Sequence, residues 1–294
     1  MPELPDILTY REALAERIVG QRLEQVRLKT PFLLRSVDPP LSAVAGRFVT
    51  KVSRLGKRIV IELDGDLFLV IHLMIAGRLH WKPSQPKLGS KMALASFEFP
   101  TGALLFTEAG SQRRASLHVV GWRVGLAAFD RGGLDVLDGP LDEFANRLTA
   151  ENHTLKRALT DPRSFDGIGN AYSDEILHAA RISPLRLTKA LTADEIARLH
   201  QACRQVMTTW IDRLRAERKG EFPEGVTAFR PEMAVHGRFR QPCPDCGSPV
   251  QRIRYADNET NYCARCQTNG RLLADRAMSR LLKQDWPRSL DEAD

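Results

Sequence analysis

Apolar positions near the start of the chain recur at helical spacing. Ile7, Leu8, Leu14 and Ile18 make one stripe over residues 6–19, and Gly20 is a natural stop. From about residue 22 to 129 the period changes. Short apolar runs (RFVTKV, RIVIEL, DLFLVIHLMI, ASFEF, ALLFTEA) are separated by turn chemistry such as Asp64-Gly65 and Pro100-Thr101-Gly102. That spacing predicts strands of a β-sandwich or barrel. Residues 82–91 form a polar loop containing Pro and Gly, and RGGLDVLDGP, from residue 131, reads as an interdomain linker. Helical spacing resumes over 142–160, 170–181 and 192–218, the last opening on Thr192 with Glu195 as a capping box. Cys203 lies inside that last stretch and reads as a small buried apolar residue. The tail beyond 271 is expected to hold a short amphipathic helix. The domain boundaries follow: 1–130, a linker at 131–140, 141–237, 238–270, and a tail at 271–294.

Composition narrows the function. A chain of 294 residues suits two domains, and 43% hydrophobic with 27% charged residues suits a globular fold. The net charge of +7 favours an anionic partner, nucleic acid first. The first residues lack the basic and apolar regions of a signal peptide, and no apolar run reaches the ~18 residues of a membrane span. A cytoplasmic, nucleoid-associated protein with no membrane partner is expected. Nothing points to an obligate dimer, so a monomer is expected.

Three groups of residues carry candidate chemistry. Four of the five cysteines follow the pattern Cys243-x2-Cys246-x16-Cys263-x2-Cys266. Two such pairs at ribbon spacing match one tetrahedral Zn2+; the other reading is a pair of redox dithiols. The intervening segment can fold as a hairpin carrying Arg252 and Arg254. Second, loss of Met1 would leave Pro2 with a free secondary amine, able to attack an electrophilic carbon, beside Glu3 as a general acid. Pro and acidic residues also suit a plain helix start. Third, Gly167-Ile168-Gly169-Asn170-Ala171-Tyr172 can present backbone N–H groups to a phosphate, or can simply be a turn between helices.

The ordered set of motifs resembles the formamidopyrimidine-DNA glycosylase/endonuclease VIII family. The matching residues are Pro2-Glu3-Leu4-Pro5, Lys57 in Arg54-Leu55-Gly56-Lys57-Arg58, and His72 in Ile71-His72-Leu73. They continue through the Gly167–Tyr172 run with Glu175 to the paired cysteines. The resemblance implies an α+β protein: an N-terminal β-sandwich with flanking helices, then a helix–two-turn–helix domain and a four-Cys zinc-finger hairpin. It also implies DNA bound in the cleft, as double-stranded DNA with damaged bases or abasic sites. The implied activity is base-excision repair by a bifunctional DNA glycosylase and abasic-site lyase acting on a flipped nucleotide through a Pro2 Schiff base. Pro2, Glu3 and Lys57 would be the catalytic set. Lys57, His72 and Asn170 fall at positions that contact phosphate.

Departures from the family pattern bear on lesion choice. The family fills the gap left by a flipped base with Met, Arg and Phe; here Ile75 stands for Met, Arg113 keeps the Arg role and Ala115 stands for Phe. An alanine cannot wedge a base step. The DNA-contacting arginine of the finger is replaced by Asn258, so Arg252 or Arg254 is expected to substitute. The stretch Glu221–Gly237 is shorter than the lesion-capping loop of 8-oxoguanine-specific members. These changes point to a weak 8-oxoguanine glycosylase that prefers abasic sites. Two other classes remain: a catalytically silent sensor of damaged DNA, and a zinc-ribbon factor of transcription or translation.

Overall fold

A computed structural model describes residues 1–110, 112–255, 258–274 and 289–290. Its residues form two compact units, Met1–Arg131 with Trp210–Thr227, and Gly132–Thr209 with Ala228–Asp294. In chain order the elements are α1 (Leu4–Ile18), β1 (Gln25–Leu28), β2 (Val49–Leu55), β3 (Arg58–Leu63), β4 (Leu67–His72), β5 (Gly77–Lys82), β6 (Ala93–Phe99), β7 (Gly102–Glu108) and β8 (Ser116–Gly121). There follow β9 (Leu134–Asp135), α2 (Leu141–Thr149), α3 (Leu155–Thr160), β10 (Phe165–Asp166), α4 (Asn170–Ala179), α5 (Ala193–Arg218), β11 (Val250–Tyr255), β12 (Asn258–Cys263) and α6 (Ala264–Thr268).

The first unit is a sandwich of two antiparallel four-stranded sheets, ordered β1-β6-β7-β5 and β2-β3-β4-β8. Its main core takes Ile7, Tyr10, Leu14 and Ile18 from α1, with Ile59, Ile61, Leu69 and Ile71 from one sheet and Leu79, Phe97 and Phe106 from the other. The run RIVIEL is apolar nearly throughout because β3 is covered on both faces. Val60, on the opposite face, packs with Phe68, Val70 and Val120 beneath Leu126 and Phe129. Both turn predictions close hairpins: Asp64–Asp66 joins β3 to β4, and Pro100-Thr101 joins β6 to β7. The C-terminal part of α5 and the chain to Thr227 belong to this unit. Arg215 and Arg218 pair with Glu12 and Glu16 of α1, and Phe222 meets the Tyr10 ring at 5.7 Å between centroids.

Several expectations are corrected. The run DLFLVIHLMI is not one strand: β4 ends at His72, residues 73–76 turn, and β5 begins at Gly77. Helix 142–160 is two helices, α2 and α3, interrupted near Thr154, which precedes α3 in an extended conformation. Residues 131–140 are not merely a linker. Leu134 and Asp135 pair in parallel with Phe165 and Asp166, and Val136 is fully buried. Strands β1, β5 and β8 were absent from the sequence reading. The capping box is present: Thr192 N–H donates to Glu195 at 2.9 Å, and Glu195 N–H donates to Thr192 Oγ1 at 3.2 Å. Cys203 is fully buried, and burial pushes its thiol pKa up. The expected tail helix falls mostly on 275–288 and 291–294, outside the described residues.

Candidate functional site

In the first unit the start of the chain is the centre of a charged cluster. Pro2 is buried and Glu3 is 2% exposed. Glu3 caps α1: its N–H donates to Asp6 Oδ2 at 3.0 Å, and Pro5 occupies the first turn, where no N–H is missed. The helix-start reading of these residues therefore holds alongside any chemical role. Burial pushes the pKa of the Met1 amine down; Glu3 opposes that shift, Arg78 and then Lys57 reinforce it, and Asp6 opposes it. An amine held toward its neutral form keeps the lone pair that a nucleophile needs.

Lys57 reaches this cluster from the two-residue turn between β2 and β3, where Gly56 adopts φ +59° and Leu55 pairs with Arg58. His72, at the end of β4, sits opposite Arg58 on one side and Ser116 on the other. Burial, then the Arg58, Lys57 and His118 charges, pushes its pKa down to about 4. His72 is thus a neutral imidazole near pH 7, a donor rather than a cation. Arg78, which the sequence reading missed, donates to the carbonyls of Gly77, Ile75 and Val226. Nothing in the strand pattern marks it, because a basic residue on a half-buried strand is ordinary.

Ile75 stands 61% exposed on the turn between β4 and β5. The turn is closed by Gly77 N–H to Leu73 O at 2.9 Å, with Met74 at φ +53°. Arg113 is exposed and donates to Lys91 O. Ala115 is only 4% exposed, and its N–H and that of Arg114 donate to the Glu108 carboxylate at 3.1 and 3.0 Å. Ala115 packs in the core cluster and also lines the floor of a small pocket with Glu108 and Arg113.

The second unit holds Asn170 and the cysteine hairpin. Asn170 opens α4, its Nδ2 donating to Glu259 O of β12 at 3.0 Å. Two buried carboxylates hold this region: Glu175, already part of the motif that carries the resemblance, and Asp174, which that motif does not include. Glu175 accepts the N–H groups of Ala234, Val235 and His236 at 2.7, 2.9 and 2.9 Å. Asp174 accepts from Lys156 Nζ at 2.5 Å and Asn261 N–H at 3.1 Å, and pairs with His236 Nδ1 at 2.8 Å. Two adjacent acidic residues in a short helix were the available signal. Arg252 and Arg254 project from β11, and both pair with Glu259, at 3.4 and 3.7 Å. Arg252 also lies over the Phe239 ring.

The four cysteine sulfurs lie within 4.8 Å of one another, with Cys243–Cys266 at 3.9 Å and Cys246–Cys263 at 3.4 Å. Ligands at ~2.3 Å from one tetrahedral ion stand ~3.8 Å apart, so the set fits a single metal centre. His178 Nε2 is 3.3 Å from Cys243 Sγ, a contact that would orient that ligand.

Three family models match consecutive parts of the chain: the formamidopyrimidine-DNA glycosylase N-terminal domain over residues 1–114, the H2TH domain of the same enzyme over 136–217, and the zinc finger found in FPG and IleRS over 240–269. The formamidopyrimidine-DNA glycosylase of Heliobacterium modesticaldum is 33% identical over 287 residues, covering 91% of this chain and all of that protein. The crystal structure of MutM (Fpg) from Thermus thermophilus superposes with a TM-score of 0.74 at 30% identity, covering 90% of this chain and 98% of that one. The Lactococcus lactis Fpg bound to DNA containing an abasic site gives 0.80 at 23%, with 90% and 99% covered, a likeness of fold.

Proposed function

Since the chain belongs to the formamidopyrimidine-DNA glycosylase family, we propose that it is a DNA glycosylase of base-excision repair with abasic-site lyase activity, acting through Pro2 on a flipped nucleotide of double-stranded DNA. The observation that carries this reading is the environment of the chain start. A buried amine is pushed toward its neutral form with Glu3 and Lys57 among the charges around it. Removal of Met1 transfers that environment to the Pro2 nitrogen. Its lone pair attacks C1′ as the bond from C1′ to the base breaks, and the base leaves with a proton. Glu3 delivers a proton to the sugar oxygen as the ring opens, leaving a cationic iminium between Pro2 and C1′. That cation acidifies C2′–H; loss of this proton expels the 3′ phosphate and cuts the strand. Lys57 and neutral His72 hold phosphate beside the reacting sugar, and Asn170 with Arg252 or Arg254 contacts the duplex from the second unit. Four thiolates at these separations suit one structural Zn2+.

Borohydride reduction during reaction with an abasic duplex should trap the protein on DNA. Pro2→Gly should lower trapping by on the order of 10³-fold. Equal trapping by the variant would place the nucleophile elsewhere, and no trapping by the native protein would favour the silent sensor.

A further inference from the structure

The short turn Pro31–Leu33 carries a phenylalanine with no visible reason to be where it is. Phe32 is 77% exposed, although its neighbour Leu33 is buried at 2% and anchors the turn in the core. The turn is rigidly placed. Leu33 and Leu34 N–H groups close it onto Thr30 and Pro31, and Arg35 N–H donates to Leu117 O at 2.9 Å. Leu34 also forms a parallel bridge with Leu117. These contacts fix Phe32 beside the entrance to β8, next to Ala115.

Between them lies a pocket of about 340 Å3, lined by Thr30, Phe32, Arg35, Glu108, Arg113 and Ala115 among others. It adjoins the Ile75 turn, since Glu108 pairs with Gly77 and Ala109 N–H donates to Ala76 O. Its chemistry is an exposed aromatic face flanked by two exposed guanidinium groups. Aromatic faces stack on unpaired bases whatever their sequence, and guanidinium groups donate to base carbonyl oxygens. Pro2, Glu3 and Lys57 do not line this pocket, so the reacting nucleotide is not its occupant.

We propose that Phe32 stacks on the base left unpaired opposite the flipped nucleotide, in the pocket it shares with Arg113 and Ala115. The small Ala115 side chain leaves this space open, and Phe32 supplies the ring from a different segment. The inference rests on the glycosylase reading above. It makes the Phe32 pocket, bordered by Arg35, the place where that unpaired base is held.

The test places 5-iodouracil opposite a tetrahydrofuran abasic analogue and irradiates the complex. The crosslink should map to Phe32, disappear in Phe32→Ala and persist in Phe32→Tyr. Preference for the abasic-analogue duplex over undamaged duplex should fall on the order of tenfold in Phe32→Ala and recover in Phe32→Tyr. A crosslink mapping elsewhere, unchanged preference in Phe32→Ala, or full recovery by Phe32→Leu would overturn the stacking role while leaving the enzyme reading intact. A native protein that does not distinguish the two duplexes would remove both.

Discussion

His72 shows how one residue's surroundings set its chemistry. An exposed imidazole titrates near 6.5, whereas burial and three neighbouring positive groups push this one to about 4. The folded-state pKa lies below the unfolded value, so the unfolded chain binds the extra proton between them. Stability is therefore complete above about 6.5 and is lost as pH falls toward 4, by on the order of 2–3 kcal/mol. Denaturant titrations at pH 7 and pH 4.5 should show this loss in the native protein and a smaller one in His72→Gln. An equal loss in both would assign the effect to other groups. Position and type of His72 were readable in the His-Leu motif; its neutrality was not, because that depends first on burial in the folded sheet and then on the Arg58, Lys57 and His118 charges.

At the scale of elements, the turn presenting Ile75 depends on Gly77. A Cβ there would meet Leu73 O at 2.2 Å, a backbone atom that cannot step aside. Gly77→Ala should cost about 2–4 kcal/mol of folding stability, read from the denaturation midpoint, and impair lesion binding further by displacing Ile75. Near-native stability would mean the turn relaxes freely. The cysteine hairpin depends instead on its metal. β11 and β12 form a two-stranded ribbon, too small to hold alone in water. Metal analysis should find one zinc per chain. Stripping it with a chelator should lower DNA affinity and abolish protection of β12 amides from exchange, while strands β3 and β4 stay protected. Retained β12 protection without metal would show that Asp174 and Asn170 suffice. The paired cysteines and the capping box were legible because each signal lies within a few residues. Strand β8 was not, since it is defined by pairing with β4.

For the whole molecule, net charge of +7 predicts DNA affinity that falls with salt, each phosphate contact adding close to ~0.9 to the log–log slope. Glu259 restrains two of the candidate contacts, Arg252 and Arg254. Glu259→Gln keeps an acceptor for Asn261 but removes the charge, and should tighten binding at low salt about 2–5-fold with a steeper slope. A flat salt response in the native protein would argue for a partner other than DNA. The chain by itself determined the order of a helix, short strands, further helices and a paired-cysteine segment, with sandwich or barrel left open. It also marked the four clustered cysteines and the Pro2-Glu3 start as candidates, because periodicity and motif spacing are local properties. Tertiary structure decided that Ala115 is buried beneath a pocket where Phe32 stands with Arg113, and that Asp174 and Glu175 tie distant backbone to one helix. It also decided that one continuous helix, α5, contributes to both units. Those facts depend on which distant segments pair and in what register, and such long-range contacts leave no signature in the spacing of neighbouring residues.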